Sequence, residues 1–218
     1  MRDIHCHILP DVDDGARSIS ESLQMLEAAK RSGITAITCT PHCRDPWFDY
    51  ERMMKAFFKL EEKAKTISSG PELSMGFEVN YKKLAELGSE WIDRLACKTG
   101  VFLLELPTTF LPSDWERMVF EIQAKGYLVT IAHPERYKAV QESLDVVRRF
   151  IRAGCKIQIS ADFYLQNKRH PSYKTAKKLF ESDLVHYVAS DAHRPDAYRA
   201  FMEVKNAYMT LGAHGHLT

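Results

Sequence analysis

The chain has 218 residues, 45% hydrophobic and 27% charged, a mixture that suits one domain with a full apolar core and excludes a disordered chain. Its formal net charge is +1 with both signs interspersed, which gives no bulk electrostatic basis for binding nucleic acid or an anionic membrane. No apolar run nears the ~20 residues of a membrane span, and the opening Met1-Arg2-Asp3-Ile4-His5 is too polar for a secretory leader, so one cytoplasmic domain over residues 1–218, without membrane insertion, is expected.

In chain order, Asp3 to His7 reads as a strand. Ser18-Ile19-Ser20-Glu21 has the form of a capping box and opens a helix that runs to about Ser32 and stops at Gly33. A strand from Thr35 to Thr40, a helix from Tyr50 to Ile67, a strand from Leu73 to Val79 and a short helix from Lys82 to Leu87 follow. Strand Val101 to Leu106 precedes a helix opened by Pro112-Ser113-Asp114 and closed near Gly126. Strand Tyr127 to Ala132 precedes a helix from Ser143 to Ala153, and strand Lys156 to Ser160 one from Ser172 to Glu181. Strand Val185 to Ser190 leads to a last helix from about Asp196 to Leu211. Seven such alternations argue for a parallel α/β fold. Periodicity does not separate a closed β/α barrel from an open doubly wound sheet.

The cysteines, Cys6, Cys39, Cys43, Cys97 and Cys155, are odd in number and irregular in spacing, with no CxxC. They predict neither a disulfide framework nor a four-cysteine zinc site. Nor is there the Cys-x5-Arg loop of cysteine phosphatases, since Cys39 and Arg44 have only four residues between them.

Chemistry gathers instead at the ends of the predicted strands. His5 and His7, two apart on a strand, share a face and can reach one ion. His42 follows the second strand, Glu78 and Glu105 close the third and fourth, His133 follows the fifth, and Asp191 and His193 follow the seventh. A lone histidine at a strand end is more often a hydrogen-bonded structural residue, but six of seven strand ends carrying His, Asp or Glu is a pattern. In a barrel these ends converge on one face. A buried carboxylate needs a positive partner, which a metal, Arg or Lys supplies. Imidazole with carboxylate suits Mn, Fe or Zn better than Ca or Mg.

In Asp11-Val12-Asp13-Asp14-Gly15, Asp13 or Asp14 can fold back onto the same centre, with Asp14 preferred. Arg136 in His133-Pro134-Glu135-Arg136-Tyr137 is a bidentate phosphate donor in waiting. Arg194 and Arg199 are weaker candidates for the same role. Trp47, Phe48 and Tyr50 either line an aromatic pocket or cover a rim.

Asp3-Ile4-His5-Cys6-His7, Thr40-Pro41-His42, Gly76-Phe77-Glu78, Leu104-Glu105-Leu106-Pro107, His133-Pro134-Glu135-Arg136-Tyr137 and Ser190-Asp191-Ala192-His193 together resemble the polymerase and histidinol phosphatase (PHP) superfamily. More narrowly, the first and fifth look like the bacterial metal-dependent protein tyrosine phosphatases of capsule and exopolysaccharide synthesis. The resemblance runs from Met1 to about Arg199. It implies a distorted (β/α)7 TIM-like barrel with two or three divalent metal ions, manganese first and iron or zinc after it. It implies one ion on His5, His7, Glu78 and Asp191, a second on Glu78, Glu105 and His133, and a third on His42, His193 and Asp14 (or Asp13). Arg136 matches an arginine that contacts phosphate, and the implied substrate is a phosphotyrosine protein, a bacterial tyrosine autokinase. One departure is the segment Ile157 to Phe163, which keeps the family's glutamine, Gln158, but lacks a small Gly/Ser-Leu run. That touches the substrate rim near the sixth strand.

The expected mechanism is hydrolytic: a metal-activated water attacks phosphorus in line, with charge neutralised by metal and Arg136. The tyrosine leaving group, of pKa about 10, needs little help, and His42 or His193 can supply a proton where one is needed. The competing expectations are a small-molecule phosphatase of the histidinol-phosphate kind and a phosphotyrosine-binding module without turnover. An amidohydrolase is ranked below both, because that class carries a modified lysine where this chain has Glu105.

Overall fold

A computed structural model of the chain describes residues 1–210; the predicted helix end at Leu211 lies outside the described residues. The strands are β1 (Arg2–Cys6), β2 (Ala36–Cys39), β3 (His42–Cys43), β4 (Glu72–Met75), β5 (Glu78–Asn80), β6 (Val101–Glu105), β7 (Leu128–Ala132), β8 (Lys156–Ser160) and β9 (Tyr187–Ala189). The helices are α1 (Ile19–Arg31), α2 (Tyr50–Ala64), α3 (Tyr81–Leu87), α4 (Ile92–Leu95), α5 (Trp115–Ala124), α6 (Lys138–Glu142), α7 (Asp145–Arg152), α8 (Pro171–Glu181) and α9 (Ala197–Thr210). Every strand pairing is parallel, in a three-stranded sheet β1-β2-β4 and a six-stranded sheet β3-β5-β6-β7-β8-β9.

All seven predicted strands are present, but the second and third staves are interrupted. Thr40-Pro41 separates β2 from β3, and Gly76-Phe77 separates β4 from β5. Proline has no N–H to offer a ladder. The two breaks lie side by side, bridged by Gly76 N–H to the Cys39 carbonyl (3.0 Å) and Glu78 N–H to the Pro41 carbonyl (3.2 Å). The chain thus steps from one sheet to the other on both staves at one level, which carries His42 and Glu78 into register.

The sheet curls until its outer edges meet. Beyond β9 and β1, Asp191 N–H donates to the His5 carbonyl and His7 N–H to the Ala192 carbonyl, both at 2.9 Å, around a Cys6–Ala192 bridge. An open doubly wound sheet does not bring its first and last strands together, so the curl decides against that alternative.

Strand residues such as Ile37, Phe102, Leu104, Val129, Ile131, Ile157 and Ile159 are buried, and α1 adds Met25, Leu26 and Ala29. Half of the predicted capping box is present: Ser18 Oγ accepts from Glu21 N–H (3.2 Å), while Glu21 Oε2 accepts from Arg17 N–H (2.8 Å), one residue before the cap. Helix α2 ends three residues before the predicted Ile67, where single turns replace it. The short α4 and α6, and 3-10 turns at Ser89–Trp91, Pro134–Arg136 and Ala161–Leu165, were not predicted; none is long enough to show an apolar period. All five cysteines are buried and unpaired. Among the described residues no helix is long and apolar enough to cross a membrane.

Candidate metal centre

The C-terminal ends of the strands hold one cluster of imidazoles and carboxylates, buried except at Asp14 and His193. His5 and His7 leave β1 with their Nε2 atoms 3.1 Å apart. Each is aimed by its other nitrogen: His5 Nδ1 meets Gln158 Oε1 on β8 (3.0 Å), and His7 Nδ1 meets Asp13 Oδ2 (2.9 Å). Asp13 also accepts from the backbone N–H groups of Gly15 (2.9 Å) and His42 (3.1 Å). The loop carrying it folds so tightly over β1 that a Cβ on Gly15 would lie 2.0 Å from the His7 carbonyl oxygen.

Glu78 lies at the middle. Its Oε1 is 2.6 Å from His133 Nε2, and its Oε2 is 2.5 Å from His42 Nδ1, 3.4 Å from His7 Nε2 and 3.6 Å from His5 Nε2. Asp191 Oδ1 is 3.3 Å from the Nε2 atoms of both His5 and His7. Asp14 Oδ1 is 3.1 Å from His42 Nε2 and 3.3 Å from His193 Nε2. The geometry therefore separates the two loop aspartates: Asp14 faces His42 and His193, whereas Asp13 orients His7 from behind. Glu105 stands slightly apart, with Oε1 4.0 Å from His133 Nε2 and 3.4 Å from Arg44, and Oε2 accepting from Asn80 Nδ2 (2.9 Å).

Electrostatics follow from this crowding. Burial alone would raise the carboxylates, yet the charges of His5 and His42 hold Glu78 well below the usual range, and those of His5 and Arg136 do so for Asp191. Burial would likewise depress the imidazoles. The charges of Asp191 and Glu78 instead lift His5 to about 9, and Glu78 with Asp14 lifts His42 to about 10. The protein thus concentrates anionic oxygens that need cations. Glu78 Oε2 and His42 Nδ1, close as they are, do not meet in hydrogen-bond geometry, and His133 Nδ1 is also buried without a hydrogen-bond partner. Three groupings, His7/Asp14/His42/His193, His5/His7/Asp191 and His5/Glu78/His133, each place ligand-type atoms within 4.8 Å of one another. The donor set suits divalent cations of the Mn, Fe or Zn type, which take both nitrogen and carboxylate oxygen.

Two ligand-type residues sit on unusual backbone. His133 has φ 31° and Asp191 φ 49°, neither being glycine, a conformation that costs energy and concentrates at functional sites. It turns each side chain inward directly after its strand.

The predicted arginines separate. Arg136 is at the mouth, 2.5 Å from Asp191 Oδ2 and 3.0 Å from Asp162 Oδ2. Arg194 is committed to the Asp14, Gly15 and His193 carbonyls, bracing the Asp14 loop. Arg199 is highly exposed on α9 and pairs with Glu203 (3.2 Å), and none of its partners belongs to the cluster. Sequence reasoning missed Arg44, whose guanidinium is 2.9 Å from His42 Nε2 and lies 5.0 Å from the Trp47 ring centroid; a cation two residues after His42 was the available signal. Trp47 stacks on His42 at 5.3 Å, whereas Phe48 and Tyr50 pack on Phe77 and Trp91. Of the three aromatics, only Trp47 borders the cluster.

A family model described as capsular polysaccharide synthesis, CpsB/CapC, matches residues 1–211. The chain belongs to this family. The tyrosine-protein phosphatase CpsB of Streptococcus pneumoniae is 32% identical over 212 residues, covering 93% of this chain and 87% of that protein. The tyrosine-protein phosphatase YwqE of Bacillus subtilis is 31% identical over 206 residues, covering 88% and 77%. A solved structure from work on YwqE and CpsB, described there as metal-dependent tyrosine phosphatases, superposes with a TM-score of 0.82 at 27% identity, over 97% of this chain and 89% of that one. A β-aspartyl dipeptidase of Fervidobacterium islandicum shares the fold alone, with a TM-score of 0.53 at 12% identity over 98% of this chain and 71% of that one. In this CpsB/CapC chain the divergent stretch from Ile157 to Phe163 reaches the cluster directly: Gln158 aims His5, Ser160 Oγ donates to Asp191 (2.9 Å) and Asp162 holds Arg136.

Proposed function

We propose that this chain is a divalent-cation-dependent phosphatase that removes phosphate from tyrosine in proteins, acting in the cytoplasm on a tyrosine autokinase of capsule or exopolysaccharide synthesis. The reading treats residues 1–218 as one metallophosphatase unit and the two sheets as parts of a distorted (β/α)7 barrel. The observation that carries it is Glu78, a buried carboxylate within 3.6 Å of four imidazoles contributed by three different strand ends.

His5, His7, Glu78 and Asp191 would hold one ion, Glu78, Glu105 and His133 a second, and Asp14, His42 and His193 a third, with manganese the preferred metal. Bound there, the ions supply an activated water at neutral pH and a positive field for the phosphoryl oxygens. Arg136 grips those oxygens through its planar fork, presented by Asp162 and Asp191. Trp47 offers a flat apolar face beside the mouth for the substrate ring. His193, 31% exposed, and His42 on its buried side both turn Nε2 toward Asp14, so they would serve as ligands when the third ion is held and as proton donors to the departing phenolate only when it is not.

The test is metal analysis of the purified protein, followed by chelation, reconstitution with Mn2+, Fe2+ or Zn2+, and turnover of a phosphotyrosine peptide against an aliphatic phosphate monoester. Activity lost on chelation, restored by metal and preferring the peptide supports the reading. Chelator-resistant turnover sinks the metal mechanism. A preference for the aliphatic ester points to the small-molecule phosphatase, and absence of turnover with every metal points to a binding module.

A further inference from the structure

The segment from Phe163 to Phe180 contains five Lys or Arg and no Asp or Glu, in a chain whose net charge is only +1. Lys168, Arg169, Lys174 and Lys178 are exposed and make no ion pair among the described residues, and Lys177 has only its helical neighbour Glu181 at 3.5 Å. Lys174, Lys177 and Lys178 are three and four residues apart on α8 and share its outer face.

Beside them is an apolar groove between Phe163 and Tyr164 of the turn after β8, Tyr173 of α8 and Val204 of α9. Its volume, about 130 Å³, is near the ~150 Å³ of a cavity that accepts one benzene ring. Tyr164, which lines it, is 38% exposed, and the next residue, Leu165, is 65% exposed. One wall of the groove also adjoins the chemistry along the chain. Phe163 directly follows Asp162, whose carboxylate is 3.0 Å from the Arg136 guanidinium, so Tyr164 lies within ~8 Å of chain from Asp162.

We propose that this surface docks an acidic stretch of the phosphoprotein that flanks the phosphorylated residue, with one apolar side chain of that stretch seated in the groove. The inference rests on the phosphatase reading above and adds a substrate preference to it. Unpaired cations next to an apolar slot fit an acidic, partly apolar peptide. The charge gives recognition and on-rate, and the slot fixes register. A peptide gripped at Arg136 would run directly onto it.

The experiment uses the full metal-loaded chain and its Lys174→Glu/Lys177→Glu and Tyr164→Ser variants. Substrates are para-nitrophenyl phosphate and phosphotyrosine peptides with acidic or lysine-rich flanks. The double variant is expected to raise KM for the acidic peptide about tenfold at unchanged kcat, and the wild-type advantage to shrink as salt is raised. Para-nitrophenyl phosphate turnover stays within about twofold, since that ester is too small to reach the groove. Tyr164→Ser raises the same KM without changing its salt dependence. An unchanged KM in the double variant, or a wild-type enzyme that treats both peptides alike, overturns the proposal. Fluorescence anisotropy of the labelled acidic peptide reads the surface without turnover. Failure to cleave para-nitrophenyl phosphate with any metal counts against the phosphatase reading, while equal peptide affinity in wild type and double variant counts against the docking surface.

Discussion

Glu78 is the anion shared by the imidazoles of three strand ends, so replacing its charge removes more than one contact. Glu78→Gln preserves shape but is expected to lower bound metal and reduce turnover by on the order of 100-fold or more, read by metal analysis and kcat on a phosphotyrosine peptide; a variant that keeps full metal content and full rate contradicts the ligand assignment. At Arg136 the expected effect is different. Arg136→Lys keeps the charge but loses the planar fork, so kcat/KM is expected to fall roughly ten- to hundredfold with metal content unchanged, a split that kinetics and metal analysis on one sample resolve. Most of the cluster was legible as residue types at strand ends, because a strand's period of two puts His5 and His7 on one face. The choice between Asp13 and Asp14 was not, since adjacent aspartates in a turn have no periodicity. Asn80 was invisible for a related reason, since its role depends on Glu105, 25 residues away; Arg44 had a local signal in its nearness to His42, but its contact with Glu105, 61 residues away, had none.

Among the elements, the loop after β1 matters most to the site. It carries Asp13 and Asp14 over His7, with Ala16 N–H donating to the His7 carbonyl (3.0 Å). Gly15→Ala would drive a methyl group into that carbonyl, so the loop must lift. The expected outcome is a lower Tm together with weaker metal binding, measured by thermal melts and metal titration; a variant matching wild type in both means the loop is not packed this way. The helices were legible where a cap or a stop gave a local signal, as at Ser18 and Gly33. The broken staves were not, because the steps at Thr40-Pro41 and Gly76-Phe77 are fixed jointly by neighbouring strands and neither segment alone specifies a break.

Across the whole molecule, the metal-free protein should be sensitive to alkali. The His5 and His42 values of about 9 and about 10 lie above the ~6.5 of an unfolded histidine. Their contribution to stability is complete below that unfolded value and is lost as pH rises through the folded values. Glu78 and Asp191 are depressed, so theirs is present above ordinary carboxylate pKa values and lost as pH falls. Chelated protein should therefore lose Tm between about pH 7 and pH 10, whereas metal-loaded protein, with cations in place of those protons, should hold it; parallel melts that decline together contradict this. Thiol alkylation should leave activity unchanged, because all five cysteines are buried and burial pushes Cys43 and Cys155 up to about 12. Loss of activity with iodoacetamide on the folded protein would argue for a reactive cysteine.

The sequence by itself determined the alternation of strands and helices and the kind of chemistry at the strand ends, because both are written in local patterns of apolar period and residue type. Only the tertiary structure decided that the sheet's edges meet, that Asp14 rather than Asp13 faces His42 and His193, that Gln158 aims His5 from 153 residues away, and that Arg199 stands outside the cluster. Those outcomes come from sheet curl, strand register and two residues held at positive φ, which arise from contacts between distant segments and leave no trace in any one of them.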